Sequence, residues 1–147
     1  MLTTAFYLVA NCQTGTLRYS NAGHPKPLIV NPNSNRVQPL TNDCGHSQPA
    51  LGLFDDPPYL TSETIIVPGD FLMLFTDGLY EVQGQNEELY SQQRLLVDVK
   101  SLIALPGGQL FDELVDHIRN FSLDHGFDDD VCLVGVEYAR KTMRFKC

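Results

Sequence analysis

The feature that most constrains this fold is a run of five apolar residues that stops abruptly before an aspartate. The run, Phe71 to Phe75, lies between the turn residues Pro68-Gly69 and Asp77-Gly78. A short apolar run between turn residues predicts a strand buried on both faces, because an amphipathic helix would need a longer, periodic pattern. Asp77 therefore follows a core strand directly, and Gly78 lets the chain turn away without covering the carboxylate.

A second group of acids stands beside another apolar run, so Asp77 has two interpretations. An aspartate before a glycine often hydrogen-bonds its own turn, and three consecutive aspartates often form a solvated acidic turn. However, Asp128, Asp129 and Asp130 directly precede the apolar run Val131 to Val136. If the two runs are antiparallel neighbours, these acids meet at one end of a sheet. Carboxylates without Cys or His ligand spacing suit hard cations such as Mg²⁺ or Mn²⁺.

The order of the predicted elements gives the fold class. Alternating residues predict a hairpin from Thr4 to Ser20, and 61–67 predicts a strand that pairs antiparallel with 71–75 through a type II turn. Two helices follow, because apolar residues recur at helical spacing on either side of Pro106, namely Leu95, Leu96, Val99, Leu102 and Ile103, then Leu110, Phe111, Leu114, Val115, Ile118 and Phe121. Antiparallel sheets covered by a helical hairpin make an α+β fold.

Composition limits the class of protein. The chain has 147 residues, of which 43% are hydrophobic, and this predicts one soluble domain. Its net charge of −8 argues against a nucleic-acid partner or an anionic membrane. The sequence shows neither a transmembrane stretch nor a signal peptide, and Cys12, Cys44, Cys132 and Cys147 lack zinc spacing, which predicts reduced, mostly buried thiols in a cytoplasm.

Several motifs together resemble the C-terminal part of the metal-dependent protein phosphatase 2C (PPM) superfamily, in particular its bacterial SpoIIE/RsbU-like serine phosphatases. They follow the family's order from about Thr4 to Tyr138: Asn21-Ala22-Gly23-His24-Pro25, Leu51-Gly52-Leu53, Pro68-Gly69-Asp70, Thr76-Asp77-Gly78-Leu79-Tyr80-Glu81 and Asp129-Asp130-Val131. The resemblance implies that residues 1–139 are the C-terminal part of such a domain, with the upstream part absent, and that 140–147 form a frayed tail.

The resemblance also implies a site and a reaction. The expected fold is a partial αββα sandwich, and in the family water bridging two Mn²⁺ or Mg²⁺ ions attacks phosphoserine or phosphothreonine. By motif, Asp77 and Asp129 match metal ligands, and no catalytic residue is implied beyond the ligands. Residues expected behind or at the edge of the site are Gly78, Asp130, Asp128 and His24, although the alignment of the three consecutive aspartates can slip by one place.

Two departures from the family pattern matter. The family's bridging aspartate lies in an upstream segment that this sequence does not contain, so the chain is expected to carry half a metal site and to be inactive alone. Cys132 stands where the family usually has Thr or Ser, and a small side chain is tolerated there. His46, His117 and His125 are predicted to be incidental.

Two main functions remain open at this stage. The first is an enzyme: a cytoplasmic serine/threonine phosphatase acting on a phosphorylated anti-anti-sigma-type regulator, with an upstream sensor or receiver domain. The second is a non-catalytic partner-switching module that keeps a degenerate phosphatase fold. A blander alternative is an acidic α+β domain without metal. In each case a sandwich that lacks strands predicts self-association through exposed sheet edges.

Overall fold

Two antiparallel sheets and two helices stack in layers in the computed structural model, which describes residues 3–43, 45–55, 59–123, 126–139 and 142–146. The elements are β1 (Ala5–Asn11), β2 (Thr16–Ala22), β3 (Leu28–Asn31), β4 (Arg36–Pro39), β5 (Ser62–Ile65), β6 (Phe71–Phe75), β7 (Val82–Gln83), β8 (Leu89–Tyr90), α1 (Gln92–Ser101), α2 (Gly107–Phe121), β9 (Leu133–Ala139) and β10 (Thr142–Lys146). One sheet has the order β1-β2-β5 and the other β10-β9-β6-β3-β4, while β7 and β8 form a short ribbon. The predicted α+β sandwich with a helical hairpin is confirmed.

The five-stranded sheet lies in the middle because its inner strands are apolar on both faces. β3 is buried along its whole length, and β6 is buried at all but one position. One face packs against the helices around Met73 and Leu114, and the other packs against the three-stranded sheet around Leu72 and Leu17. Each such side chain contributes about 1.5–3 kcal/mol when fully buried, so β6 is a rigid support for the residues that follow it.

The two helices form where the apolar spacing predicts them. The Ser91 hydroxyl caps α1 by accepting a hydrogen bond from the Arg94 backbone N–H at 3.2 Å. α2 presents Leu110, Leu114 and Ile118 to the sheet, and all three are buried. The helical hairpin therefore covers the face of the five-stranded sheet that points away from the three-stranded sheet.

The predicted pairing of residues 61–67 with the strand before Asp77 is wrong. β5 pairs with β2, whereas β6 pairs with β3 and β9. The turn between β5 and β6 has type II character, since Asp70 N donates to Val67 O at 2.9 Å and Gly69 has φ 95°, but it carries the chain from one sheet to the other. The physical reason is burial: β5 has one exposed face and suits an outer sheet, while β6 needs cover on both faces.

The predicted frayed tail is also wrong. Residues 142–146 form β10, which pairs antiparallel with β9 and becomes an edge of the five-stranded sheet. The Lys146 ammonium lies 3.5 Å from the Glu137 carboxylate across this pair. The strand has a period-two signal, because Met143 and Phe145 alternate with polar residues.

The prediction of buried thiols fails for the cysteines that the structure describes. Cys12 and Cys132 are both exposed. Cys12 lies in the turn after β1, and Cys132 lies in the extended segment that leads into β9. Cys44 and Cys147 lie outside the described residues.

A buried carboxylate ties the turn between the sheets to the β3–β4 hairpin. Asp70 is 1% exposed and accepts hydrogen bonds from Asn31 Nδ2 at 2.5 Å and from the Val67 backbone N–H at 2.8 Å. The Arg36 guanidinium contacts both of its oxygens at 3.2 Å. Four hydrogen bonds therefore hold the start of β6 in place.

The outer face of the three-stranded sheet carries large apolar side chains that the described residues leave exposed. Tyr7, Val9 and Ile65 are 69%, 50% and 66% exposed. None of the described helices is long and apolar enough to cross a membrane.

Candidate functional site

The ends of β6 and β9 bring two predicted acidic segments together. β6 and β9 are antiparallel neighbours, with Phe75 opposite Leu133, so the residues after β6 lie beside those before β9. Thr76 N donates to Cys132 O at 3.1 Å, and Cys132 N donates to the Thr76 hydroxyl at 2.9 Å. The same hydroxyl donates to Asp130 O at 2.9 Å. These three bonds join 76–78 to 129–132.

Gly78 lies where the two segments are closest. A Cβ at this position would lie 2.7 Å from Asp130 O, closer than real Cβ atoms approach, and 3.0 Å from Asp129 O, which is tighter than most real contacts. The glycine is therefore required by the approach of the acidic segment, in addition to any role in turning the chain. A larger residue would have to push Asp129 and Asp130 away from Asp77.

The Asp77 carboxylate makes no hydrogen bond to its own turn among the described residues. Asp77 begins a 3₁₀ turn, Asp77–Leu79, and its backbone carbonyl accepts hydrogen bonds from Tyr80 N and Glu81 N, both at 2.9 Å. Its side chain is half-buried, and no described residue donates a hydrogen bond to the carboxylate. The interpretation of Asp77 as a residue that merely bonds its own turn is therefore disfavoured.

The three consecutive aspartates differ in what they contact. All three side chains are exposed. Asp129 Oδ1 accepts a hydrogen bond from Asp130 N at 2.7 Å, and Asp130 contacts Thr76 through its carbonyl. Asp128 lies one residue further from this contact. Among the described residues no three His, Cys, Asp or Glu side chains are grouped closely enough to hold a metal ion.

The donors at this sheet end nonetheless match the chemistry of a hard divalent cation. Asp77 and Asp129 offer carboxylate oxygens, and both Asp129 and Asp130 present backbone carbonyls beside Gly78. Mg²⁺ and Mn²⁺ prefer such oxygen donors and keep several waters. The residues present thus fit part of the coordination shell, and two carboxylates are too few for tight binding.

A cavity of about 380 Å³ opens next to Asp77. One wall is formed by the β2–β3 connection, a second by loop residues 42 and 46–48, and a third by residues 77–81 with the start of α1. Its charged and imidazole side chains are His24, Lys26, His46, Asp77 and Glu81. The cavity therefore has basic side chains on two of its walls and acidic side chains on the third, which carries Asp77, the candidate metal ligand.

His24 reaches this cavity because Asn21 fixes the loop that carries it. Asn21 Oδ1 accepts from His24 N at 2.8 Å, and Asn21 Nδ2 donates to His24 O at 2.9 Å. Burial lowers the pKa of His24, and the nearby Asp77 carboxylate partly opposes that shift. A lowered pKa keeps the imidazole neutral at pH 7, so His24 adds hydrogen-bonding capacity to the edge of the site, but no charge.

The loop that forms the second wall of the cavity is hydrogen-bonded to the three-stranded sheet. Tyr19 Oη donates to Thr41 O at 2.5 Å, and the Ser62 hydroxyl accepts from Asp43 N at 3.1 Å. Asn42 Nδ2 donates to His46 O at 2.6 Å and closes the loop on itself. This polar loop is therefore part of a formed cavity wall.

The sequence predicts some of these residues and misses others. His46, predicted to be incidental, lines the cavity, and so do Lys26, Tyr80 and Glu81, for which no role was predicted. Lys26 follows His24 by two positions, but no local pattern in the sequence places it beside Asp77. His117 is exposed on α2 as predicted, and His125 lies outside the described residues.

Comparison with known proteins agrees with this fold. Residues 1–139 match the family model described as Stage II sporulation protein E (SpoIIE). Protein IcfG of Synechocystis sp. (strain ATCC 27184 / PCC 6803 / Kazusa) is 30% identical over 96 residues, which cover 65% of this chain and 14% of that protein.

Solved structures share the fold at low sequence identity. The RsbU and RsbW domains of Rv1364c from Mycobacterium tuberculosis superpose with a TM-score of 0.71 at 23% identity, covering 95% of this chain and 37% of that one. The SiaA-PP2C domain of Pseudomonas aeruginosa gives 0.74 at 18% identity, covering 91% and 51%. The phosphatase domain of the cell fate determinant SpoIIE from Bacillus subtilis gives 0.69 at 15% identity, covering 95% and 60%. The chain therefore spans less than two thirds of each of these relatives.

Proposed function

The chain belongs to the Stage II sporulation protein E (SpoIIE) family, and from that premise we propose that it acts within a metal-dependent protein serine/threonine phosphatase. The proposed reaction is hydrolysis of a phosphomonoester by water, for which two bound Mn²⁺ or Mg²⁺ ions would supply positive charge and an activated water. The observation that carries this proposal is the half-buried Asp77 carboxylate, free of described hydrogen-bond donors, at a sheet end that also holds Asp129 and Asp130.

Asp77 and Asp129 are the residues proposed to hold Mn²⁺ or Mg²⁺. The structure of the phosphatase domain of SpoIIE from Bacillus subtilis presoaked with Mn has the same fold, with a TM-score of 0.70. Bound ions would polarise a phosphoryl oxygen and lower the pKa of water. The protein's own contribution is positional: the 3₁₀ turn fixes Asp77, and the Thr76 hydroxyl holds Asp130 O beside it. Asp128, Asp130 and His24 lie behind or at the edge of the site.

The carboxylates of this chain are too few to bind Mg²⁺ tightly, because that ion gives up its water reluctantly. We therefore propose that the remaining ligands come from the part of the family domain that this chain does not include. The 147-residue chain should hydrolyse p-nitrophenyl phosphate slowly or not at all with Mn²⁺, while the natural full-length protein should turn it over. Turnover by the chain alone that matched a complete phosphatase domain would contradict this.

The ligand assignment has its own test in the full-length protein. Asp77→Asn and Asp129→Asn should each weaken Mn²⁺ binding by at least about tenfold, measured by isothermal titration calorimetry, because each removes a charged donor. Asp116→Asn on the exposed side of α2 removes the same charge elsewhere and should leave binding unchanged. Equal effects from all three substitutions would mean that only overall charge matters.

The second candidate is a partner-switching module without catalysis. The absence of any group of three potential ligands among the described residues fits this module as well as it fits an incomplete metal site. The upstream sequence discriminates the two, since an aspartate in the family's upstream motif favours the enzyme and its replacement favours the module. For the enzyme we propose a phosphorylated anti-anti-sigma-type regulator as substrate, control by an upstream sensor or receiver domain, and a cytoplasmic location.

A further inference from the structure

A lysine in the cavity beside Asp77 has a charge that no described residue neutralises. Lys26 lies two residues after His24 in the β2–β3 connection, and its side chain is exposed. No carboxylate in the described part of the chain lies within ion-pair distance of it. In a protein with a net charge of −8, this leaves an isolated positive group next to a candidate phosphate site.

The other cations whose side chains the structure describes are all engaged. Four form ion pairs, in which the shortest N–O distances range from 2.9 to 3.7 Å: Arg18 with Glu63, Arg36 with Asp70, Arg94 with Glu88, and Lys146 with Glu137. Lys100 donates to Asn35 O, and Arg119 lies over the Phe127 ring at 5.9 Å. Lys26 therefore differs from these cations in two ways: it has no ion pair with a described residue, and it lines the cavity beside Asp77.

We propose that Lys26 determines substrate specificity by binding an acidic side chain next to the phosphoserine of the substrate protein. This inference rests on the proposed phosphatase function. The phosphate itself belongs at Asp77, the proposed metal ligand that lines the cavity and is half-buried, whereas the Lys26 side chain, which lines the same cavity, is exposed to solvent. The bound segment of the phosphoprotein therefore extends from Asp77, where its phosphate lies, past Lys26.

An acidic substrate needs the contact with Lys26 because the protein around the cavity is itself negatively charged. The cavity also contains Glu81, and the whole chain is acidic, so an acidic segment approaching Asp77 meets like charge. A cation at the rim offsets that repulsion and favours substrates with an acid beside the phosphate over those without one. Such contacts act mainly on selectivity and association rate.

The test uses the natural full-length protein and two phosphoserine peptides that differ only in flanking Asp or Asn residues. Lys26→Ala should raise KM for the Asp peptide about 3- to 5-fold, the range of an exposed charge pair. It should leave kcat unchanged, and leave KM for the Asn peptide and for p-nitrophenyl phosphate unchanged. Lys26→Glu should raise KM for the Asp peptide further, and Lys26→Arg should retain the preference.

Lys100→Ala is the matched control, because it removes the same charge from α1 outside the cavity lining. Equal losses on both peptides and on p-nitrophenyl phosphate would overturn the proposal, since they would place Lys26 on the phosphate itself. No change with any substrate, or the same change in Lys100→Ala, would overturn it too.

Fluorescence anisotropy of the two peptides in EDTA gives a readout that does not depend on turnover. Weaker binding of the Asp peptide alone to Lys26→Ala supports the proposal even if the protein hydrolyses nothing, in which case only the proposed phosphatase function fails. Identical binding of both peptides by the wild-type protein overturns the specificity role, whatever the activity.

Discussion

Among the described residues, Asp70 is the one charged side chain that is fully buried, and it shows how a single carboxylate connects three parts of the chain. Its partners are Asn31 at the end of β3, Arg36 at the start of β4 and the Val67 backbone. A buried charge is tolerated only when it is paired and hydrogen-bonded, as this one is. Asp70 thus fixes where β6 begins, and Thr76 and Asp77 directly follow this five-residue strand.

Asp70→Asn should lower the free energy of unfolding by about 2–3 kcal/mol, because hydrogen bonds to a charged group contribute about 1.5–3 kcal/mol. The substitution also leaves Arg36 without its counter-ion. Urea denaturation measures the change. Arg18→Ala, which breaks the exposed 3.7 Å pair with Glu63, should change stability by less than about 1 kcal/mol. A similar loss in the two variants would contradict the special role of the buried pair.

Gly78→Ala should separate the acidic segment from Asp77, because the added methyl group would meet Asp130 O at 2.7 Å. We expect a loss of stability of about 1–3 kcal/mol, typical of an overpacked site, and at least tenfold weaker Mn²⁺ binding in the full-length protein. Thermal unfolding and calorimetry measure the two effects. Gly108→Ala at the start of α2 has no heavy atom within 4 Å of its new methyl group and should be neutral or stabilising. Unchanged metal binding in Gly78→Ala would show that the close approach is irrelevant to the site.

At the scale of elements, one hydroxyl joins the end of β6 to the chain entering β9. The Thr76 hydroxyl accepts from Cys132 N and donates to Asp130 O, both at 2.9 Å. Strand pairing alone positions residues up to Phe75 and from Leu133. Beyond those residues, Thr76 continues the connection between the two acidic segments.

Thr76→Val keeps the shape of the side chain but removes both hydroxyl bonds. It should lower stability by about 1–3 kcal/mol, because each of the two hydrogen bonds contributes about 0.5–1.5 kcal/mol, and it should raise the amide hydrogen-exchange rate of Cys132. Thr76→Ser should behave like the wild type. If the Cys132 amide exchanged equally slowly in Thr76→Val, the hydroxyl would not be what joins the segments.

The elements that the sequence predicts correctly are those with purely local signals. The apolar run of β6, the helical spacing of Leu110, Leu114 and Ile118, and the turn at Gly69 each follow from neighbouring residues. The partner of β5 was missed because pairing depends on which sheet faces are covered, and the chain crosses between sheets at a turn that also suits a hairpin. The ion pair between Arg36 and Asp70 joins residues 34 positions apart, so no local pattern indicates it.

The residues of the candidate site divide in the same way, into those that a local motif predicts and those that depend on contacts between distant parts of the chain. Asp77, Asp129 and His24 are predicted from motifs, because motifs preserve residue type and order, and their roles at the site stay predictions. Lys26 and His46 were missed because they become neighbours of Asp77 only when separate loops fold against one another. Loops that form a cavity wall have no periodic pattern of apolar residues, so the sequence does not show which of their residues line the cavity.

At the scale of the whole molecule, the three-stranded sheet has a face that the described residues leave open. Tyr7 and Val9 on β1 and Ile65 on β5 expose apolar surface, and β1 is an edge strand. Exposed apolar faces and unpaired edges favour association between chains. This surface gives the predicted self-association a location on the molecule.

The 147-residue chain should therefore associate as its concentration rises, and Val9→Lys with Ile65→Lys should keep it monomeric. Multi-angle light scattering at increasing concentration measures this. Val97→Lys on α1 replaces an equally exposed valine on another face and should leave association unchanged. A monomer at high concentration in the unsubstituted chain would contradict the prediction.

The bond between Thr76 and Cys132 spans 56 positions and has a consequence for biosynthesis. A ribosome that has made β6 must still produce both helices and the second acidic segment before Asp77 acquires its neighbours. Contacts between distant positions form late, because a long intervening stretch must first be ordered. The nascent polypeptide thus contains Asp77 before it contains the neighbours of Asp77, and the proposed cation site would assemble only when the whole domain has been made.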